Sequence, residues 1–139
     1  MAESRQHKNL VKCIVSYLET IPGCCLDLVE ADLTDFNTRT TRIVGGYYPD
    51  VFYRDRDKII IGEAKTDADL LTPHTDRQLS SYIEEVLLFP GEKHIILSVP
   101  FLSCNTLYNY VNRKMEKIPE CGIFFHLIND MQRNEILCL

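Results

Sequence analysis

With 139 residues, 45% of them hydrophobic and 25% charged, the chain is the size of one globular domain able to bury a substantial core. Its apolar runs fall far short of the roughly 20 residues a membrane-crossing helix needs, and residues 1–8 lack the apolar stretch of a secretory signal, so an intracellular, cytoplasmic location is expected. The net charge of −5 weighs against a nucleic-acid partner only as an average, because a cation-binding carboxylate site itself adds negative charge.

The predicted elements follow in chain order. Residues 3–19 place Leu10, Val11, Ile14, Val15 and Leu18 at steps of three and four, which predicts an amphipathic helix ended by Pro22-Gly23. Residues 24–33 read as a strand, and the Thr-rich residues 35–42 as a turn or an exposed strand. Gly45-Gly46 precedes a predicted strand over 47–53. The charged turn Arg54-Asp55-Arg56-Asp57 then joins it to a second strand, Lys58 through Lys65, as an antiparallel hairpin. Thr72-Pro73 is a helix start, with Leu79, Tyr82, Ile83, Val86 and Leu87 as its buried stripe and Pro90-Gly91 as its stop. The continuous apolar run 94–99 predicts a strand buried on both faces. A helix over 103–118 and a strand over 122–128 follow, and the last residues are ambiguous. No repeat, low-complexity stretch or linker divides the chain, so residues 1–139 are expected to form a single domain. The expected class is α/β, a mixed sheet flanked by helices.

Six cysteines, at 13, 24, 25, 104, 121 and 138, include no C-x-x-C pair. They are expected to be reduced and mostly buried, acting as small hydrophobes rather than as zinc ligands.

The chemistry concentrates on the hairpin. Residues i and i+2 of a strand share a face, so Glu63 and Lys65 project together, and the neighbouring strand can bring Asp50 beside them. Two converging carboxylates repel unless a positive charge lies between them, and Mg2+ held by one or two carboxylates, waters and substrate phosphate answers that need. Gly62 leaves room for a close approach. The plain structural alternative makes Glu63 and Lys65 a solvated strand end and Asp50 a turn residue.

Pro49-Asp50 and Glu63-Ala64-Lys65, with twelve residues between the acids, resemble the PD and E-x-K elements of the PD-(D/E)XK nuclease superfamily. The predicted order αβββαβ over about Glu3 to Val99 is similar to the superfamily's restriction-endonuclease-like core, with the last helix and strand as an αβ extension. Gln78-Leu79-Ser80-Ser81-Tyr82 resembles the Q-x-x-x-Y element of RecB-type members. The resemblance implies that Asp50, Glu63 and the backbone carbonyl of Ala64 bind Mg2+, with Mn2+ able to substitute. It implies that Lys65 orients or helps deprotonate the attacking water, and that Gln78 and Tyr82 lie beside the metal and contact the nucleic-acid backbone. On apolar periodicity alone, Tyr82 is equally a core residue. Many members add an acidic residue of the first helix near the metal, here Glu3, with Glu19 the weaker candidate. The iron–sulfur cluster of some relatives is not expected, because Cys104, Cys121 and Cys138 are too dispersed.

The implied partner is DNA, with Arg54, Arg56, His74, Arg77 and Gln78 as candidate contacts. Between residues 38 and 65, Arg39, Arg42, Arg54, Arg56, Lys58 and Lys65 face Asp50, Asp55, Asp57 and Glu63, so the region becomes locally positive if two of those acids bind metal. Arg113, Lys114 and Lys117 form a second basic group. The resulting expectation is a Mg2+-dependent deoxyribonuclease, exo- or endonuclease, serving DNA repair, recombination or replication. A symmetric duplex or junction substrate would call for a homodimer; a helicase or recombination protein is the other expected partner. Two alternatives stand: a catalytically silent nuclease fold serving as an accessory or DNA-binding subunit, and an unrelated α/β domain with an accidental motif.

Overall fold

The computed structural model describes residues 4–33, 44–131 and 133–138. Helix α1 (Arg5–Tyr17) starts where Ser4 accepts the His7 N–H at 3.1 Å, and a 3-10 turn (Leu18–Thr20) tapers it off. Then come β1 (Glu30–Ala31), β2 (Val51–Arg54), β3 (Lys58–Ala64), a short α2 (Asp67–Leu70) and α3 (Pro73–Leu87). After α3 the chain adds β4 (Glu92–Val99), α4 (Cys104–Met115), β5 (Ile123–Asn129) and β6 (Asn134–Cys138).

The six strands form one mixed sheet in sequence order. β1, β2 and β3 pair antiparallel, β4 and β5 add parallel to β3, and β6 returns antiparallel along β5. Alternation along each strand divides the core in two. Ile60, Ala64, Ile96 and Ile128 meet Leu10, Val11 and Ile14 of α1, and Leu18 of the turn after it, on one face. Ile59, Ile61, Ile95, Leu97, Phe125 and Leu127 meet the stripes of α3 and α4 on the other. The α/β class and the helix-flanked mixed sheet expected from the sequence are therefore present. None of the described helices is long and apolar enough to cross a membrane.

Several boundaries differ from the sequence expectation. Residues 24–33 are not one strand: a 3-10 turn (Leu26–Leu28) leaves Leu26 and Leu28 exposed, and inward alternation begins only at Val29. The strand expected over 47–53 starts at Val51. Before it, Val44 and Tyr47 bridge across Gly45 and Gly46, both at positive φ, forming a tight turn of their own. A Cβ at Gly45 would come within 2.6 Å of the Ser81 Cβ on α3, so glycine is required there by space as well. The regular part of the 103–118 helix is shorter, and the ambiguous C-terminal residues are the edge strand β6. The six cysteines are thiols, but none is fully buried: Cys25 and Cys138 are exposed and the other four half-buried. The usual preference of free cysteine for burial overstated theirs: Cys13 and Cys24 are only partly buried against the α1 side of the core. The expectation for residues 35–42 lies outside the described residues.

Gly62 shows what fixes the site's position. A Cβ there would lie 2.8 Å from Ile14 Cγ2 and 3.1 Å from Val51 Cβ, so the bare backbone is what lets α1 settle onto β3. Gly62→Ala is expected to cost about 1–3 kcal/mol through overpacking, read as a lower urea midpoint at unchanged slope.

Candidate active site

Along β3, Ile59, Ile61 and Glu63 face α3 and α4, while Ile60 and Ala64 face α1. Glu63 therefore ends an apolar row and is buried at 6% exposure. The Lys65 N–H donates to the Ser98 carbonyl at 2.9 Å, which carries the strand geometry one residue past β3 and keeps Lys65 on the Glu63 side. Its Nζ lies 3.5 Å from Glu63 Oε1.

Asp50 sits where the hairpin ladder opens. Val51 pairs with Gly62, and the next position on each strand exchanges side-chain contacts in place of ladder bonds. The Asp50 N–H donates to Glu63 Oε2 at 3.0 Å, and the Ala64 N–H donates to Asp50 Oδ2 at 2.9 Å. The Asp50 carbonyl accepts the Asp32 N–H at 2.9 Å, tying the same residue to the end of β1. Each carboxylate is thus oriented by the backbone of the other's strand, as recognition from spacing alone could not show.

Helix α3 closes the group from above the sheet. Thr72 caps it by accepting the Thr75 N–H at 3.2 Å, and Pro73 occupies its first turn. Gln78 and Tyr82, one turn apart on one face, both reach inward. Gln78 Nε2 donates to Glu63 Oε1 at 2.7 Å and to the Tyr82 hydroxyl at 3.0 Å, and that hydroxyl donates to Glu63 Oε2 at 3.5 Å. Gln78 Oε1 is buried without a hydrogen-bond partner among the described residues. Beside it lies a cavity of about 20 Å3 lined by Glu63, Lys65, Thr75, Gln78, Tyr82 and Leu97, room for about one water.

The structure adds a residue the sequence reading passed over. His7, in the first turn of α1, brings Nε2 to 3.3 Å from Asp50 Oδ2. Its only sequence signal was a shared helical face with Glu3, and Glu3 itself lies outside the described residues.

Burial dominates the electrostatics. The Glu63 carboxyl is pushed up to about 8, first by desolvation and then by the Asp50 carboxylate, against the opposing pull of Lys65. Burial, then the Glu63 charge, drives the Tyr82 phenol well above its ordinary range, so Tyr82 is a neutral hydrogen-bonding group.

Other candidates are distributed differently. β2 runs away from Asp50, so Arg54 pairs with Ile59 at the far end of the hairpin, roughly 13 Å along the sheet from Glu63. Arg54 stacks over the Phe89 ring at 5.3 Å, and Arg56 lies in the turn beyond it. Lys65 apart, the hairpin's basic residues Arg54, Arg56 and Lys58 thus lie at its far end from the carboxylates, because a strand separates residues by its full length even when they are close in sequence. His74 and Arg77 are exposed on the first turns of α3. His74 lies one turn ahead of Gln78, its ring edge-on to Tyr47 with centroids 5.5 Å apart. Lys114 of the second basic group is paired with Asp76 at 2.8 Å. Arg39 and Arg42 lie outside the described residues.

The donor set fits a hard divalent cation. Asp50 and Glu63 bring two carboxylates together across the hairpin, and burial, then the Asp50 charge, holds Glu63 against ionisation. Among the described residues no group of three His, Cys, Asp or Glu side chains forms an all-protein metal cage. Mg2+ is ordinarily held by only one or two carboxylates and completes its shell with water and substrate. Comparison of the chain with protein-family models, with curated proteins and with solved structures gives no match, so the site's meaning rests on its own geometry.

Proposed function

We propose that this chain is a Mg2+-dependent nuclease of the PD-(D/E)XK, restriction-endonuclease-like type, hydrolysing phosphodiester bonds of DNA in repair, recombination or replication. The observation that carries this reading is the convergence of Asp50, Glu63 and Lys65 where the β2–β3 ladder opens, with Gln78 of α3 bonded to the same Glu63 oxygen that Lys65 approaches. The antiparallel β1–β2–β3 meander followed by a helix and the parallel β4 supports it, since that is the order expected of the superfamily's core.

Asp50, Glu63 and the Ala64 carbonyl would hold the cation, with the His7 imidazole beside Asp50. Bound Mg2+ supplies a lowered water pKa and a sink for charge on the phosphoryl oxygens. Lys65 places a positive charge beside Glu63, where it can orient the attacking water and steady the phosphate. Gln78 fixes the Glu63 rotamer, and Tyr82 fixes Gln78. His74 and Arg77, at the exposed start of α3, are the residues nearest Gln78 in sequence that can reach a DNA backbone.

A second reading is a silent nuclease fold acting as a DNA-binding subunit. It is favoured by one observation: Glu63 already has protein partners on both oxygens.

Labelled linear, circular, single-stranded and branched DNA, incubated with the protein and Mg2+ or Mn2+, separates the two. The expected result is cutting that stops in chelator, its products telling exo- from endonuclease. Binding of every substrate without cutting of any would sink the nuclease reading.

A further inference from the structure

We infer that the cleft between α1 and the β5–β6 hairpin is a second, independent site that binds a phosphate-type anion together with a proton. The cleft has a volume of about 450 Å3, in the range of small-ligand sites. Its polar lining includes Lys12, Ser16, Tyr17, Thr20, Arg133 and Asn134, and no carboxylate among the described residues lines it. In a chain of net charge −5 the lining itself thus carries two cations and no anion, with the Asp130 carboxylate near enough to act on Cys13 of its wall. Lys12 and Arg133 are exposed, and neither is paired with a carboxylate among the described residues. The Arg133 guanidinium lies over the Phe101 ring, its Cζ 5.7 Å from the centroid, a cation–π contact that uses none of its N–H donors. The adjacent acid, Asp130, accepts the Phe101 N–H at 2.9 Å.

The floor of the cleft ends a buried hydrogen-bond chain that the carboxylate site does not use. The Tyr17 hydroxyl lies 2.7 Å from His126 Nδ1, His126 Nε2 lies 2.8 Å from His94 Nδ1, and His94 Nε2 lies 2.9 Å from Glu92 Oε1. Both imidazoles are 5% exposed, and the Phe124 ring stacks on His94 at 5.2 Å. An ionised Glu92 can only accept, so His94 carries its proton on Nε2 and accepts at Nδ1. His126 must then donate from Nε2 and accept at Nδ1, which draws the Tyr17 O–H inward. In this neutral arrangement the Tyr17 oxygen accepts the Asn134 Nδ2–H at 3.4 Å and turns its remaining lone pair to the cleft, where it repels an anion.

One added proton reverses the chain. With His94 protonated on both nitrogens and paired to Glu92, it donates to His126 Nε2. His126 then donates from Nδ1 to the Tyr17 oxygen, and the hydroxyl proton turns out into the cleft. Every nitrogen stays satisfied, and the cleft gains a donor beside Lys12 and Arg133. Burial, then the neighbouring His94, lowers His126 to about 4, so His126 passes the added proton's effect along the chain without itself holding a second one. Anion binding and proton uptake are therefore linked, each favouring the other.

Calorimetric titration of the full chain in chelator, with sulfate as the probe, tests this, because sulfate keeps its charge across the range used. Sulfate binding is expected to tighten by about tenfold as pH is lowered from 8 to 6, and Tyr17→Phe is expected to abolish that pH dependence. Lys12→Ala and Arg133→Ala, both exposed, are each expected to weaken binding by about tenfold or more. A nucleoside monophosphate and a short oligothymidylate, titrated alongside, distinguish the anion's source: tighter binding of the oligonucleotide means a nucleic-acid strand, tighter binding of the nucleotide a small ligand. No binding of any probe at millimolar concentration would overturn the proposal. So would binding that is indifferent to pH or to both cation substitutions.

Discussion

Lys65→Ala is expected to lower Mg2+-dependent DNA cleavage by about 100- to 1,000-fold, the loss typical when one preorganised stabiliser of transition-state charge is removed. The Lys65 backbone is held by its bond to Ser98 and by the strand geometry, whatever side chain the position carries. Truncation should therefore leave the fold and DNA affinity nearly intact. The side chain is only 15% exposed and lies 3.5 Å from the buried Glu63, so its loss is expected to push the Glu63 carboxyl further toward its protonated, neutral form, which keeps the site uncharged. The decisive reading is the split between terms: single-turnover cleavage should fall while DNA binding in chelator changes by less than about threefold. Lys65→Arg should recover little, since a planar guanidinium does not replace a compact ammonium in a slot beside a buried carboxylate. Cleavage within tenfold of wild type in the alanine variant would remove Lys65 from the chemistry and with it the main support for the nuclease reading.

How much of this was legible in the sequence depends on the range of the interaction. The α3 start was readable because Thr72 and Pro73 act within one turn of their own backbone. The Glu63–Lys65 pairing was readable because strand alternation is local. The partition of the core was implicit in the same periodicities. Asp50 was legible as a residue but not as a geometry: nothing in its neighbours says that the ladder opens there and that its N–H finds Glu63 rather than a carbonyl. His7 was missed because its role exists only after Gly62 lets α1 settle onto β3, a contact between Ile14 and Gly62 that lie far apart along the chain. Arg54 and Arg56 lie apart from the carboxylates for the converse reason: closeness along the chain is not closeness in space, and β2 carries them away from Asp50. The Glu92–His94–His126–Tyr17 chain needed three elements to assemble and left no motif at all.

Glu63→Gln is expected to do the opposite to stability of what it does to activity. Glu63 has a folded-state value of about 8, above its ordinary value of 4.5, so the folded protein binds its proton more tightly than the unfolded chain does. Its favourable contribution is therefore complete below about pH 4.5 and is lost progressively as pH rises to about 8. In the absence of metal, wild-type stability should fall across that window by an amount on the order of 4 kcal/mol from this group. A glutamine at this position cannot ionise, so the metal-free variant should be the more stable protein at pH 8, with the difference shrinking toward pH 4.5. The introduced amide also needs an acceptor, and the buried Gln78 Oε1, without a partner among the described residues, becomes one if the Gln78 amide turns over. Mg2+ separates this reading from a merely unfavourable carboxylate. At pH 8 it should raise the melting temperature of wild type, because a cation that binds only the folded, ionised site stabilises by mass action, and it should leave Glu63→Gln unmoved and inactive. Thermal unfolding of both proteins at pH 5 and pH 8, with Mg2+ and with chelator, makes the comparison. A metal-free wild type as stable at pH 8 as at pH 5, or a Mg2+ shift of equal size in the two proteins, would show that Glu63 is neither the strained acid nor the cation ligand that the site's geometry makes it.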